Sequence, residues 1–323
     1  MSTAVRPETW MQFTRQEYLA TFIREGGAAI KVPVPLDEQA RTSVLSAAAK
    51  AAGDLKYFVA HVSAADTKVH MVDQIFFRVA EQVDWEELSE RVLVRLCESE
   101  GYQSPDRTSA PFLQRIAEKN GIEQSVVQME LRRKLGTSVF RLHALAKDFR
   151  VAMTNLCLAH LTGGADSEVT IKAIKDWLTG RNKAVSAVKP YQIFNKITRN
   201  NARHFLESLL HWVTFAGYPG TVILVDITRL SVARNPRDEY LHYATSALLD
   251  TYEVLRQFID ATDRLTNCLF VVVPDASFLD EDPIGRGIGR YEALKFRIFD
   301  EVRARQHVNP MASLVRLSSS AEQ

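Results

Sequence analysis

Residues Gly217 to Thr228 have the sequence Gly-Tyr-Pro-Gly-Thr-Val-Ile-Leu-Val-Asp-Ile-Thr, a turn followed by an apolar run that ends in one aspartate. The run is too apolar for a strand with one face in water, and long helical patterns flank it. These features predict a central strand of a parallel sheet with Asp226 at its C-terminal tip. Because α/β sheets bind ligands at that edge, Asp226 is a candidate site residue.

Two hypotheses explain this aspartate. In nucleotide hydrolases of the P-loop type, an aspartate in this place holds Mg²⁺, and the residue after it is usually a glutamate that polarises the attacking water. Here the next residue is Ile227, so such a strand would keep the acid and lack the catalytic base. In an unrelated α/β protein, the aspartate would only cap the end of a buried strand. The stretch alone leaves both hypotheses open.

The composition limits the class of protein. In 323 residues, 46% are apolar and 24% charged with a formal net charge of +1, which is ordinary for a globular protein and provides no global attraction to nucleic acid or anionic lipid. Three cysteines lie far apart in apolar segments, which predicts buried free thiols. There is no signal-peptide pattern and no run of about 18 apolar residues, which predicts a cytoplasmic protein without a membrane span.

The rest of the chain alternates strand and helix patterns around one long helical stretch. Strand patterns occur at 28–35, 55–63, 217–226, 267–274 and 312–317. Helical patterns separate them, which predicts an α/β fold with one doubly wound, five-stranded parallel sheet. Residues 66–200 predict a large all-helical insertion. The expected core is then 1–65 and 201–318, followed by a tail at 319–323.

Two prolines interrupt the first strand pattern. Pro33 and Pro35 cannot donate to a strand ladder, so the strand is expected to end or to be distorted there. The alanine-rich segment 37–52 follows at once and predicts a helix with Asp37 at its N-cap.

The loop after the first strand is the expected place for a phosphate-binding loop. From Pro35 it has the sequence Pro-Leu-Asp-Glu-Gln-Ala-Arg-Thr, which has P-loop spacing with Arg41 and Thr42 in the places of the lysine and the hydroxyl. The glycines are missing, and Asp37 and Glu38 bring negative charge to the place of the phosphates. An ordinary strand-to-helix loop explains these residues better.

A second acid, Asp275, follows the fourth strand and is expected beside Asp226 at the edge of the sheet. Two acids there would either bind a metal or cap the two loops, and no third ligand accompanies them. His204 and His211 lie on one predicted helix without a Cys or His at ligand spacing. They indicate a helix surface rather than a metal site.

The segment 113–135 has two short helical patterns around Asn120-Gly121 and ends in Arg132, Arg133 and Lys134. The arrangement is similar to a helix-turn-helix, whose basic end would contact DNA. The alternative is an ordinary pair of amphipathic helices in a bundle.

Four blocks carry a resemblance to a known family. They are Asp-Trp-Leu-Thr-Gly at 176–180, the turn and strand at 217–226, Phe-Leu at 278–279, and Arg-Gly-Ile-Gly-Arg-Tyr-Glu-Ala-Leu-Lys-Phe-Arg at 286–297. Through them the chain resembles the P-loop ATP-binding proteins of BREX and related bacterial phage-defence islands, which are relatives of AAA+ and origin-recognition ATPases. The resemblance covers about 165–317, and the N-terminal part by pattern and spacing only. It implies a P-loop NTPase-like fold of the AAA+/RecA-like kind.

The resemblance also implies residue roles, with several departures from the family pattern. Arg41 takes the place of the Walker lysine, Thr42 of the magnesium hydroxyl, Asp226 of the Walker B aspartate, Asp275 of a polar sensor and Ile227 of the catalytic glutamate. Together these residues would form a vestigial nucleotide site. No cofactor is expected there, and ATP with Mg²⁺ is the alternative.

The function expected from this comparison is a catalytically degenerate P-loop ATPase-like protein, a structural or regulatory subunit of an anti-phage defence complex. Its expected partners are other defence proteins, including an active ATPase of similar fold. Arginine fingers offered to that ATPase in trans would be Arg290, Arg297, Arg303 or Arg305, and the alternatives are an exposed loop residue for the first and a solvated helix face for the others. Two further hypotheses are an active or nucleotide-gated ATPase with a non-standard P-loop, and a DNA-binding adaptor.

Overall fold

The computed structural model describes residues 4–106, 110–182, 184–232, 239–299 and 309–320. The chain forms two compact units. The first consists of Met1–Val79 and Tyr218–Gln323, and the second of Ala80–Gly217. Within the described ranges, the first unit contains all the strands of the sheet and the second is helical.

Five strands of the first unit form one parallel sheet, as the sequence predicts. They are β1 (Ala28–Pro35), β2 (Phe58–Ser63), β3 (Thr221–Asp226), β4 (Cys268–Val273) and β5 (Leu314–Leu317). Their order across the sheet is β2-β3-β4-β1-β5. In β4 every residue is buried, and in β3 every residue except the last is buried. Both strands are therefore continuous apolar runs, as expected for the middle of a parallel sheet.

The prolines of β1 do not end the strand, which rules out one of the two outcomes expected from the sequence. The backbone N–H groups of Val32 and Leu36 donate to carbonyls of the β5 segment at 2.7 and 2.8 Å. Because successive N–H groups of a strand point to opposite sides, Pro33 and Pro35 turn their nitrogens toward β4. β1 accordingly pairs with β4 over Ala28–Lys31 and with β5 from Val32 onward.

Helices cover the faces of the sheet and build the second unit. They are α1 (Pro7–Phe13, continued by a π-helical segment Thr14–Phe22), α2 (Glu38–Asp54), α3 (Val72–Ala80), α4 (Trp85–Ser99), α5 (Phe112–Asn120), α6 (Gln124–Ser138), α7 (Lys147–Thr162), α8 (Ala165–Leu178), α9 (Ala202–Phe215), α10 (Thr245–Asp260) and α11 (Glu292–Ile298). Several ends differ from the predicted ones. The clearest difference is between α6 and α7, which the all-helical pattern predicted for 66–200 does not set apart by a loop and which turns between Val139 and Leu145 divide in the structure.

The core of the first unit forms where α2 packs on the sheet. Ala40, Val44, Ala48 and Ala51 are buried, and their spacing of three or four residues puts them on one face of the helix. They belong to the same apolar cluster as the buried residues of β3 and β4 that face this helix. Asp37 caps the helix, as the sequence predicts.

The second unit has an aromatic core. The ring of Phe149 lies 6.4 Å from Trp85 and 6.1 Å from Phe205, and Phe205 lies 5.6 Å from Trp177, all in edge-to-face arrangements. The cysteines of both units are buried free thiols, as predicted, and burial raises the pKa of each to about 12. Among the helices of the described ranges, none has the length and apolar character needed to cross a membrane.

Candidate functional site

The candidate site lies at the edge of the sheet where the parallel strands end. Because β4 stands between β1 and β3, the loop after β4 separates the loop after β1 from Asp226. Neighbouring strands are about 4.8 Å apart, so the ends of β1 and β3 are separated by roughly 10 Å. The ends of three neighbouring strands therefore lie close together at this edge.

Among the acidic residues described at this edge, Asp37 accepts the largest number of hydrogen bonds. Its carboxylate accepts from the N–H of Ala40 at 2.8 Å, which caps α2. It also accepts from the N–H and hydroxyl of Ser319 at 2.9 and 2.8 Å and from the hydroxyl of Ser318 at 2.9 Å. The bond from Ala40, followed by those from the two serines, lowers the pKa of Asp37 to about 2. The group is therefore an anion at neutral pH.

The position of this carboxylate matters because a helix N-terminus attracts anions. The first N–H groups of a helix have no partners within the helix and carry a partial positive charge, which is why phosphates bind there in nucleotide-binding loops. In this chain the Asp37 side chain accepts a hydrogen bond from the N–H of Ala40, which is one of these groups. The two serines follow β5, so the end of the β5 segment lies against the same turn.

Arg41 and Thr42 follow the residues of α2 whose N–H groups have no partner within the helix. The N–H of Arg41 donates to the carbonyl of Asp37 at 3.0 Å, and its half-exposed guanidinium lies 3.7 Å from Glu38. The hydroxyl of Thr42 donates to the helix carbonyls of Glu38 and Gln39, each at 3.1 Å. Both side chains make contacts within their own helix, and their role in binding a nucleotide stays a prediction.

Asp226, the last residue of β3, and Asp275, which follows β4, accept hydrogen bonds from the short helical turns after these strands, and Asp275 is the N-cap of its turn. Asp226 accepts from the N–H and hydroxyl of Thr228 at 2.9 and 2.7 Å. Asp275 accepts from the N–H and hydroxyl of Ser277 at 3.1 and 2.7 Å, and it also accepts from the hydroxyl of Ser231. The loops after β3 and β4 are thus joined through Ser231.

Metal binding at these acids stays one of the two alternatives. No group of three Cys, His, Asp or Glu residues in the described part of the chain is arranged to hold an ion. One carboxylate oxygen of Asp226 accepts two hydrogen bonds, and both carboxylate oxygens of Asp275 accept hydrogen bonds. A metal ion would therefore have to replace hydrogen bonds that hold both loops.

Ile227, which the resemblance puts in the place of the catalytic glutamate, is part of the core. Its side chain is 2% exposed, and its N–H donates to the carbonyl of Val273 at 2.9 Å. A cavity next to it, lined in part by Ser231 and Asp275, measures about 10 Å³. A space of that size holds about one water molecule. This part of the edge is filled by the protein itself.

Arg286, the first residue of the block at 286–297, also contributes to this edge, although the sequence pattern predicts no role for it. Its guanidinium donates to the carbonyl of Leu230 at 2.9 Å and to that of Tyr243 at 2.8 Å. The hydroxyl of Tyr252 donates to the carbonyl of Arg286 at 2.7 Å, and burial together with the charge of Asp275 raises the pKa of that tyrosine. Through these hydrogen bonds Arg286, which belongs to the loop after β4, is connected to the loop after β3. An arginine among closely spaced glycines is the signal that marks it.

The two described candidates for an arginine finger have partners within the chain. Arg290 donates to the carbonyls of Ile284 and Gly285, the latter at 3.1 Å. Arg297 forms an ion pair with Asp260 on α10. The other two candidates, at 303 and 305, and the acids at 300 and 301 lie outside the described residues. A finger role for any of them stays a prediction.

The predicted pair of helices with a glycine turn is present in the second unit. α5 ends at Gly121, which has a left-handed φ of 65° as glycine caps commonly do. On α6, Arg133 lies 3.4 Å from Glu100, and Lys134 pairs with the same carboxylate and lowers its pKa. Arg132 is exposed. DNA contact by these three basic residues stays a prediction.

Comparison with known proteins gives one family. The family model for BREX system ATP-binding protein BrxC/D matches residues 111–323, which is more than half of the chain. The match contains β3, β4, β5 and the blocks at 176–180 and 286–297, whereas the loop after β1 and α2 lie outside it. Neither the curated proteins nor the solved structures provide a significant match.

Proposed function

The chain belongs to the family of BREX system ATP-binding proteins BrxC/D, and from this premise we propose that it is a catalytically degenerate, P-loop ATPase-like subunit of a phage-defence complex. The chain would keep the α/β scaffold, lack hydrolysis, and act through contacts with other defence proteins. The five-stranded parallel sheet and the acids at its edge support the first part of this proposal.

The observation that carries the proposal is the carboxylate of Asp37 at the N-terminus of α2. A phosphate bound there would displace its bonds to Ser318 and Ser319 or would lie beside a fixed negative charge. Two like charges about 4 Å apart repel by about 4 kcal/mol at the effective dielectric constant of roughly 20 that suits a protein surface. That energy corresponds to about a thousandfold weaker binding for each unit of phosphate charge.

A second argument concerns hydrolysis. A P-loop ATPase needs a polar side chain to orient the attacking water, and Ile227 offers none. The carboxylates of Asp226 and Asp275 already accept hydrogen bonds from residues of their own loops. Turnover is therefore not expected even if a nucleotide binds elsewhere on this edge.

The partner that we propose is an active ATPase of similar fold, and Arg297 is the better of the two described arginine fingers. Its side chain is 38% exposed and has a carboxylate partner on the surface. Arg290 donates to two carbonyls of its own loop, whereas Arg297 donates to the carbonyl of Ala293 at 2.9 Å in addition to its ion pair. A surface ion pair contributes little stability, so the guanidinium of Arg297 can exchange Asp260 for a phosphate at low cost.

Calorimetric titration with ATP and ADP, with and without Mg²⁺, tests the nucleotide part of the proposal. We expect no binding by the wild-type chain up to millimolar nucleotide. In Asp37→Gly the carboxylate is gone, and weak binding of ATP or inorganic phosphate is expected to appear, whereas the matched control Glu38→Gln should behave like the wild type. Micromolar binding by the wild type that Asp226→Ala abolishes would refute the proposal in favour of a nucleotide-gated protein or an ATPase.

Protection against phage tests the functional part. Cells that carry the complete defence system with Asp226→Asn in this chain should block plaque formation as well as cells with the wild type, because no hydrolysis is lost. Arg297→Ala should weaken protection while the level of the protein stays the same. A complete loss of protection in Asp226→Asn at normal protein level would show that an active site is needed there.

A further inference from the structure

The connection between α8 and α9 is strongly basic. Between Asp176 and Glu207 the chain contains no acidic residue. The same stretch contains six lysines and arginines, which are Arg181, Lys183, Lys189, Lys196, Arg199 and Arg203. Because the formal net charge of the whole chain is only +1, this stretch is a local excess of positive charge on an otherwise net negative chain. We call the residues from Lys189 to Arg199 the basic segment.

The backbone of the basic segment is fixed on the second unit, although its only regular structure is a short 3₁₀ turn at Lys189–Tyr191. The side chains of Ile193 and Ile197 are buried. Three side chains donate to carbonyls of the segment, that of Asn155 to Tyr191, that of Trp177 to Asn195 and that of Asn201 to Lys196, at 3.1, 3.1 and 2.9 Å. A long irregular connection that is held in this way is typical of a binding loop rather than of a flexible linker.

The acid that contacts this segment does not neutralise it. Asp148 is buried near the start of α7, and its carboxylate accepts from the N–H of Phe194 at 3.4 Å and from the side-chain amide of Asn195 at 2.6 Å. Both carboxylate oxygens therefore accept from uncharged groups. Asp148 fixes the shape of the segment and leaves its lysines and arginines unpaired.

The outer side of the basic segment combines cations with an aromatic ring. Lys189, Lys196 and Arg199 are exposed, and none of them forms an ion pair with another residue of the part of the chain that the structure describes. Phe194 stands between the two lysines in the chain and is 58% exposed. A phenylalanine in water beside several unneutralised cations is not explained by packing within the second unit.

We propose that the basic segment binds single-stranded nucleic acid, with one base stacked on the ring of Phe194 and neighbouring phosphates paired with Lys189, Lys196 and Arg199. An aromatic ring accepts the flat face of any base, and lysine and arginine neutralise phosphates whatever the sequence. Such a surface therefore binds with little preference for sequence. It involves no residue of the candidate nucleotide site and does not rest on the proposed function.

A single strand explains the exposed ring better than duplex DNA or a membrane does. In a duplex the bases are stacked on one another, so the phosphates would pair with the cations and leave Phe194 in water. A membrane surface needs a broad apolar face beside the basic residues, whereas Ile193 and Ile197 are buried in the second unit. One exposed ring suits one base.

Fluorescence anisotropy of a labelled single strand of thymidines, titrated with the full chain, tests the proposal. We expect the wild type to bind this strand more tightly than a duplex of mixed sequence. The logarithm of the binding constant should fall with the logarithm of the salt concentration with a slope of about −2, from about 0.7 for each of three phosphates. The Kd should then rise about twentyfold between about 50 and 200 mM salt.

Variants separate stacking from charge. Phe194→Ala should weaken binding of the single strand roughly fivefold to a hundredfold and leave both the salt slope and duplex binding unchanged, because it removes a stacking surface but no charge. Lys196→Gln should weaken binding of both ligands and make the slope shallower by about 0.7. Phe296→Ala on α11 and Lys50→Gln on α2 are the matched controls, since both side chains are exposed outside the basic segment and should change neither quantity. All four positions are exposed, so the melting temperatures should agree.

Phe194→Trp completes the test, because a tryptophan keeps the stacking surface. This variant should bind as tightly as the wild type, and the single strand should quench the fluorescence of the new indole. A wild type that does not bind the strand at low salt, or Phe194→Ala that binds it as tightly as the wild type, would overturn the proposal. Binding to phosphatidylserine vesicles that Phe194→Ala abolishes, without binding to the strand, would identify a membrane surface instead.

Discussion

Replacing Asp37 by alanine removes the acceptor that joins the start of α2 to the segment after β5. Loss of an N-cap costs about 1 kcal/mol. The three bonds from Ser318 and Ser319 contribute about 0.5–1.5 kcal/mol each, and water replaces part of them because Asp37 is partly exposed. We therefore expect Asp37→Ala to lower the free energy of unfolding by about 2–3 kcal/mol at pH 7.

The stabilisation of the fold by Asp37 should decrease as the pH falls. The pKa of Asp37 is lowered from 3.8 in the unfolded chain to about 2 in the fold, so its ionised form is stabilised by folding. The contribution is complete above about pH 5 and is lost as the pH falls from 4 toward 2. The difference between the wild type and Asp37→Ala should shrink over that window.

Urea unfolding at pH 7 and at pH 3 measures both quantities. Asp37→Asn should lose less than the alanine variant, because asparagine is also a good N-cap, and Glu38→Ala controls for the loss of one negative charge in the same turn. Ser319→Ala combined with Asp37→Ala should be less than additive, since the two residues share two bonds. Equal unfolding free energies for the wild type and Asp37→Ala at pH 7 would refute the reasoning.

Three further predictions concern other parts of the chain. Gly289→Ala should destabilise the fold by about 1–3 kcal/mol in urea unfolding because its Cβ meets a backbone oxygen, whereas Gly53→Ala, in open space on α2, should stabilise it by about 0.5–1 kcal/mol. Burial lowers the pKa of Lys31 to about 8 from 10.5, so the wild type should gain stability relative to Lys31→Met as the pH rises from 8 to 10, and a flat difference would contradict this. The buried cysteine thiols should react with a disulfide reagent only as fast as the chain opens, so fast labelling in the native state would contradict their burial.

The centre of the sheet was predictable because it depends on local chemistry. β3 and β4 are buried on both faces, so each appears in the sequence as an apolar run that no helical period explains. The cap of α2 by Asp37 was predictable for the same reason, since it joins residues three apart. For β1 the bounds were predicted correctly, whereas an end at the prolines, one of the two outcomes expected there, was wrong, because the effect of Pro33 and Pro35 depends on which neighbour each faces.

The contacts that decide the candidate site could not be predicted from the sequence. Asp37 and Ser319 are 282 residues apart, and they meet because β5 lies next to β1 at the edge of the sheet. The same holds for Ser231 and Asp275, which join the loops of two neighbouring strands. The sequence identifies such polar residues but not which of them are partners.

The carboxylate of Asp37 and the two serines that donate to it hold each other in place. An ionised carboxylate at this edge without Ser318 and Ser319 would lose three donors, and the serines without Asp37 would lose their acceptor. Restoring glycines and a lysine to the rest of the loop would therefore not restore a phosphate site while Asp37 holds the serine segment against the first turn of α2. On the proposed function, the edge of the sheet that binds phosphate in an active P-loop protein is here a structural contact between the loop after β1 and the end of β5. Asp37→Gly removes the fixed charge and the acceptor of both serines, and removal of the segment after Leu317 in addition is then expected to strengthen phosphate binding at the N-terminus of α2.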